Sequence, residues 1–182
     1  MAEVVAIAQD VQGAEVAIPW MEKAKATYRC LLDRHNAVAN ACNLKYVPVA
    51  IIVDESGLLV RAVGGVNIGD GEFRAQLSSW VQTGDVPTEW VEAEQPRPPR
   101  QLTEAEAEAN ARFQLALVLL ERAKREEALA ELKKAVVLDS QNWLIRKQMW
   151  ALETPDAFYA GDVDFAWQKE QQRLEAEGLL KQ

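Results

Sequence analysis

The chain has 182 residues, 49% of them hydrophobic and 26% charged, with a formal charge of −8. That balance suits one medium globular domain or two small ones. The acidity argues against nucleic acid as a partner, because phosphate binding needs clustered Lys and Arg. No apolar run approaches the roughly 20 residues of a membrane span, so no membrane partner is expected.

The opening "MAEVVAIAQD" carries Glu3 where a signal peptide would be basic. As it stands the chain is expected to be cytoplasmic, although one beginning further upstream could carry an export signal. Its two cysteines, Cys30 and Cys42, are too few for a disulfide framework. They read first as ordinary thiols in a reducing compartment.

From Glu3 to about Trp90, apolar runs alternate with amphipathic segments. "VVAIAQ", "YRCLLD", "VPVAIIVD" and "LLVRAVGG" read as buried strands, bounded as they are by Asp and Gly. "AEVAIPWMEKAKA", "HNAVANACN" and "EFRAQLSSWVQTG" read as helices. Such alternation predicts an α/β layer structure over residues 1–90 with some parallel pairing. "DESGLLV" is a turn between antiparallel strands, with Gly57 free to take a positive φ.

Residues 91–102, "VEAEQPRPPRQL", are Pro-rich. Pro96, Pro98 and Pro99 break any helix there, and Pro96 with Pro99 forms a PxxP that an SH3-type domain could bind. A stiff linker between domains is the favoured reading. Residues 103–182 are expected to be all-α. Thr103 and Glu106 make a capping box ahead of "AEANARFQLALVLLERA", and "REEALAELKKAVVLD" follows as a second helix. Asn142 can cap a third, "WLIRKQMWALE", which Thr154-Pro155 ends. "DFAWQKEQQRLEAEGLLKQ" is a fourth, highly charged.

Two resemblances follow. Leu115, Ala116 and Leu119, then Ala128, Leu132 and Ala135, stand at the small and apolar positions of a tetratricopeptide repeat, with Asp139-Ser140 at its usual Asp-Pro turn. About 34 residues are covered, one period of that repeat. A repeat of this kind implies a peptide-binding groove. A single copy is equally a small helical bundle packed on the first domain, and that is the favoured reading.

Residues Val4 to about Trp80 resemble the C-terminal two-thirds of a thioredoxin-like domain, nearest to the TlpA-type redoxins. A strand ending in Asp10, a helix, the "LLD" strand, a second helix, Val47-Pro48 and a hairpin follow in that family's order. The resemblance implies a cis bond before Pro48 and a binding role for Val47 and Pro48, where an extended substrate pairs with backbone. It implies nothing more of the family's site, because the Cys-x-x-Cys loop, its strand and its helix have no counterpart here. In that loop a helix N-terminus activates the first thiol. Neither Cys30, inside a strand, nor Cys42, on a helix face, replaces it.

Other chemistry finds little to build on. "TYRC" (Thr27 to Cys30) has the Thr-x-x-Cys of peroxiredoxins, but Lys23 stands where their Pro would be. His35 and Cys42 lie seven residues apart on one predicted helix, roughly 10.5 Å along its axis. That is too far for one zinc, so no metal site and no cofactor are expected. A hydrolytic pair of Cys30 or Cys42 with His35 as base is conceivable, with Asp33 or Asp54 orienting the imidazole. Trp80, Trp90, Trp143, Trp150 and Trp167 read as packing residues rather than as a binding surface.

The leading expectation is a redox-inactive thioredoxin-like binding or scaffolding module that acts through a protein or peptide partner. The alternatives are a thiol- or His-dependent, hydrolase-like enzyme and a fragment of a thiol-disulfide oxidoreductase. A sheet lacking its central strand leaves unpaired edges. Either its two halves close up or a second chain covers them, and a homodimer is expected.

Overall fold

A computed structural model describes residues 2–92 and 101–177. The chain is mixed α/β. Its elements are β1 (Val5–Ala8), α1 (Ala14–Lys23), β2 (Arg29–Leu32), α2 (Ala37–Ala41), β3 (Ala50–Val53), β4 (Leu59–Gly64), α3 (Gly71–Thr83), α4 (Thr88–Glu92), α5 (Glu104–Glu121), α6 (Arg125–Leu138), α7 (Trp143–Glu153), α8 (Asp156–Tyr159) and α9 (Phe165–Ala176). No helix among the described residues is long and apolar enough to cross a membrane. The prolines at 96, 98 and 99, with most of the expected linker, lie outside the described residues.

The strands form two separate two-stranded sheets. β1 pairs with β2 in parallel across the α1 crossover, Val5 opposite Arg29 and Ala8 opposite Leu32. β3 and β4 form an antiparallel hairpin with irregular register. At its turn the Asp54 carboxylate accepts from the backbone N–H of Ser56 and Leu58, and Gly57 takes φ +81°. The Val47–Pro48 peptide is cis.

The sequence predicts buried strands, and here the structure differs. Val5, Ile7, Leu31, Ile51, Val53 and Leu59 are all exposed. β1 and β3 are not hydrogen-bonded to each other, so each pair keeps a free edge and no continuous sheet packs against the helices. The hairpin fares best: Val60 is buried, α4 packs on β4, and Arg61 lies over the Phe73 ring of α3. Trp90 seals that corner, set against Phe73 and Trp80, its Nε1 donating to Gln76 Oε1.

The core sits in the helical half. α5 opens on the predicted capping box: Thr103 Oγ1 accepts from Glu106 N, and Glu106 accepts from Thr103 N. α5 and α6 form the most closely knit helix pair, burying Ala109, Phe113, Ala116, Leu117, Ala128, Leu132 and Ala135. Small residues at the crossing let the helices approach. Asn142 caps α7 through the N–H of Ile145, as predicted. Trp150 of α7 is 1% exposed, with the Trp143 and Trp167 rings edge-on to it. Its Nε1 donates to Glu175 of α9, which also pairs with Arg146. From the first region Val11 alone joins this buried cluster.

Candidate functional site

The two regions meet through the loops at the strand ends. Residues 9–12 leave the C-terminal end of β1 and run against α7. There the Gln148 carboxamide accepts from Val11 N (3.0 Å) and donates to Gln9 O (2.8 Å), imitating a strand partner. Gln12 Nε2 donates to Ala151 O (3.1 Å) and to the Tyr159 hydroxyl (3.0 Å). The hydroxyl in turn donates to Asp10 Oδ2 at 2.7 Å.

Burial pushes the Asp10 carboxyl above its ordinary 3.8, against the hydrogen bonds from Tyr159 and Gln12 that favour its anion. Burial first, and the Asp10 charge second, push the Tyr159 phenol well above its ordinary range. The shift of Tyr159 keeps its phenol protonated, as its role of donor to Asp10 requires.

The loop before the cis peptide makes a second bridge. Lys45 Nζ lies 3.1 Å from Glu106 Oε1 and also pairs with Asp139. Asp139 accepts from Asn142 Nδ2 at 3.1 Å. The backbone N–H of Thr103 above all, and Lys45 after it, hold the Glu106 carboxyl at about 2 although burial opposes them. Gln114 of α5 adds a third tether by donating to His35 O at 2.9 Å.

Between these bridges lies a cavity of about 190 Å³. Gln9, Asp10 and Trp20 line it from one side, Leu144, Lys147 and Phe158 from the other, and Val47 reaches it from the loop. One of the two expected binding residues, Val47, therefore faces the helical region, while Pro48 is exposed. The loops following β1 and β2 lie at the strand ends where α/β sheets ordinarily bind ligands. Here the helical region is docked on them.

The candidate catalytic residues are not assembled. Cys30 is exposed on β2, its Sγ 3.5 Å from Tyr28 O, and Cys42 is half-buried at the C-terminal end of α2; both are free. His35 is exposed and precedes α2, which starts only at Ala37, so His35 and Cys42 do not share a helix as predicted. The Asp33 carboxylate accepts from Ala37 N, Val38 N and Gln9 Nε2, at 2.7 to 2.9 Å. It therefore holds the start of α2 rather than an imidazole, and Asp54 is taken up by its own turn. Among the described residues, no group of three His, Cys, Asp or Glu side chains could hold a metal.

Sequence reasoning missed Asp10, Gln12, Gln148 and Tyr159. The only available signal was "QDVQG", a polar stretch closing a strand, and nothing in it names partners on helices some 140 residues away. Compared with family models, with curated proteins and with solved structures, the chain matches none.

Proposed function

We propose that this chain is a non-catalytic protein-binding module: a truncated thioredoxin-like half carrying a tetratricopeptide-like helical half, with its open sheet completed by a second copy of the chain. The observation that carries the reading is the exposure of the strands. Val5 and Ile7 of β1 are each 40% exposed, Leu31 of β2 is 48% and Val53 of β3 is 44%.

Apolar strand faces beside free backbone edges are the usual substrate for strand addition. A two-stranded pair is marginal alone, whereas joined sheets are stable. Exchange between identical chains supplies the missing neighbour at low cost. The enzyme reading lacks comparable support, because Asp33 and Asp54 are occupied and no thiol contacts His35.

Light scattering in reducing buffer tests it. The wild type is expected at twice the mass of the 20.3 kDa chain. Cys30→Ser and Cys42→Ser should leave that mass unchanged, and Ile7→Lys should shift it toward the monomer. A folded monomeric wild type sinks the second-copy proposal. Dissociation of either serine variant would return the thiols to the centre of the problem.

A further inference from the structure

A groove on the helical half, independent of the open sheet, has the makings of a ligand site. It is an open groove of about 410 Å³, a volume within the usual range of roughly 300–1,000 Å³ for small-molecule sites. Two helices build it. α9 presents Phe165, Gln168, Lys169 and Gln172 at the i, i+3, i+4, i+7 spacing of one face. α7 presents Trp143 and Lys147, one turn apart, and Tyr46 reaches across from the first region.

Three features point to the same kind of occupant. The walls are aromatic, and Phe165 and Tyr46 remain 65% and 51% exposed. Large aromatics so disposed favour a flat apolar guest. Lys147 and Lys169 have no hydrogen-bonding or ion-pair partner among the described residues, although most lysines of this acidic chain pair with carboxylates. The neighbouring acids are engaged elsewhere: Glu170 and Glu177 by Arg173, Glu175 by Arg146, and Asp164 by the N–H of Trp167. The residues that line the groove thus include two ammonium groups and no carboxylate, although the molecule as a whole is acidic.

The third feature is Gln168. It lines the groove, is only 8% exposed, and its Nε2 has no hydrogen-bond partner. A buried donor is rarely left unpaired without a reason. The amide nitrogen is itself buried, so a guest in the groove would reach it only if the terminal amide turned.

We propose that this groove binds a small planar aromatic anion, its ring between Trp143 and Phe165 and its carboxylate or similar oxyanion at Lys147 and Lys169. The ring supplies buried area, and the two ammonium groups with the Gln168 amide supply orientation. A neutral ring lacks the second set of contacts and should bind much more weakly.

The test uses 2-naphthoate as probe on the full chain, by calorimetry and by Trp fluorescence, with 2-naphthamide as the neutral control. Saturable one-site binding of the naphthoate is expected below about 1 mM. Lys169→Gln and Lys147→Gln should each weaken it by about tenfold, as the loss of one charge-assisted contact would. The naphthamide should bind the wild type at least about tenfold more weakly and ignore both substitutions. Lys169 is exposed, so its variant folds regardless, and circular dichroism checks Lys147→Gln. Equal binding of acid and amide overturns the proposal, as does naphthoate binding that survives both substitutions. Failure of naphthoate, with capture of an acidic peptide instead, would make the groove a peptide site and also overturn it.

Discussion

Glu106 shows how much one side chain carries here and how little of that can be seen locally. Its capping role was legible, since Thr103 and Glu106 stand at the spacing that lets each satisfy the other's backbone N–H. Its ion pair with Lys45 was not, because that contact joins residues 61 positions apart and depends on how the two regions dock. The carboxyl falls from an ordinary 4.5 to about 2 in the folded chain. A group depressed on folding contributes stability that is present above its unfolded value and lost as pH falls through the folded one. Glu106 therefore stabilises the fold above about 4.5 and ceases to do so toward about 2. Asp10 acts in the opposite sense: its raised carboxyl keeps a proton that the unfolded chain releases, so its contribution declines as pH rises above 3.8. Urea midpoints at about pH 6 and about pH 3 separate the two. The wild type should lose more stability between them than Glu106→Gln does, and parallel losses would show that Glu106 does not control the acid limb.

At the scale of elements, legibility depended on whether an element supplies its own partner. α5 and α6 are neighbours in sequence, and their Ala and Leu spacing predicts a packed pair, which the structure contains. Leu132 of α6 is 1% exposed and surrounded by that pair and α7. Truncating it leaves a cavity that rigid helices cannot close, so Leu132→Ala should cost about 2–5 kcal/mol in urea unfolding. Val137 on the same helix is 78% exposed, and Val137→Ala should stay within about 0.5 kcal/mol. Equal effects would mean that the helix pair is not the stabilising centre. The strands show the converse. "VVAIA" and "VAIIV" have the composition of central strands, yet composition states a need for cover without saying what meets it. β1 finds β2 and β3 finds β4, both within short sequence reach, and nothing among the described residues joins the two pairs. His35 and Cys42 illustrate the same limit over a shorter distance. The predicted helix joining them shrinks to five residues, because Asp33 starts it only at Ala37, leaving His35 and Asn36 in the turn before it, and it ends at Ala41, leaving Cys42 and Asn43 in the turn after it.

For the whole molecule, the question is what makes two regions of different architecture behave as one. The buried cluster is almost entirely helical, so apolar packing contributes little to the junction beyond Val11. Polar contacts must do the rest; among the described residues they are Gln148 with residues 9 and 11, Gln12 with Ala151 and Tyr159, Tyr159 with Asp10, Lys45 with Glu106 and Asp139, Gln114 with His35, and the exposed pair Lys23 with Asp162. Gln148 is the most exacting, since it satisfies one backbone donor and one backbone acceptor of a loop that has no strand partner there. Removing it strands the N–H of Val11, whose residue is 2% exposed, and a buried donor left unpaired costs about 1–3 kcal/mol. Gln148→Ala should therefore lower stability by about that amount, and it should do so locally. In hydrogen exchange the Val11 amide should lose its protection, because its own hydrogen bond to α7 is gone. The amides of α5 and α6, whose bonds lie within their own helices, should change only by the loss in global stability. If instead protection of Val11 survives, the loop is held by packing of its side chain alone. The Asp10–Tyr159 contact would then be a consequence of docking rather than one of its causes.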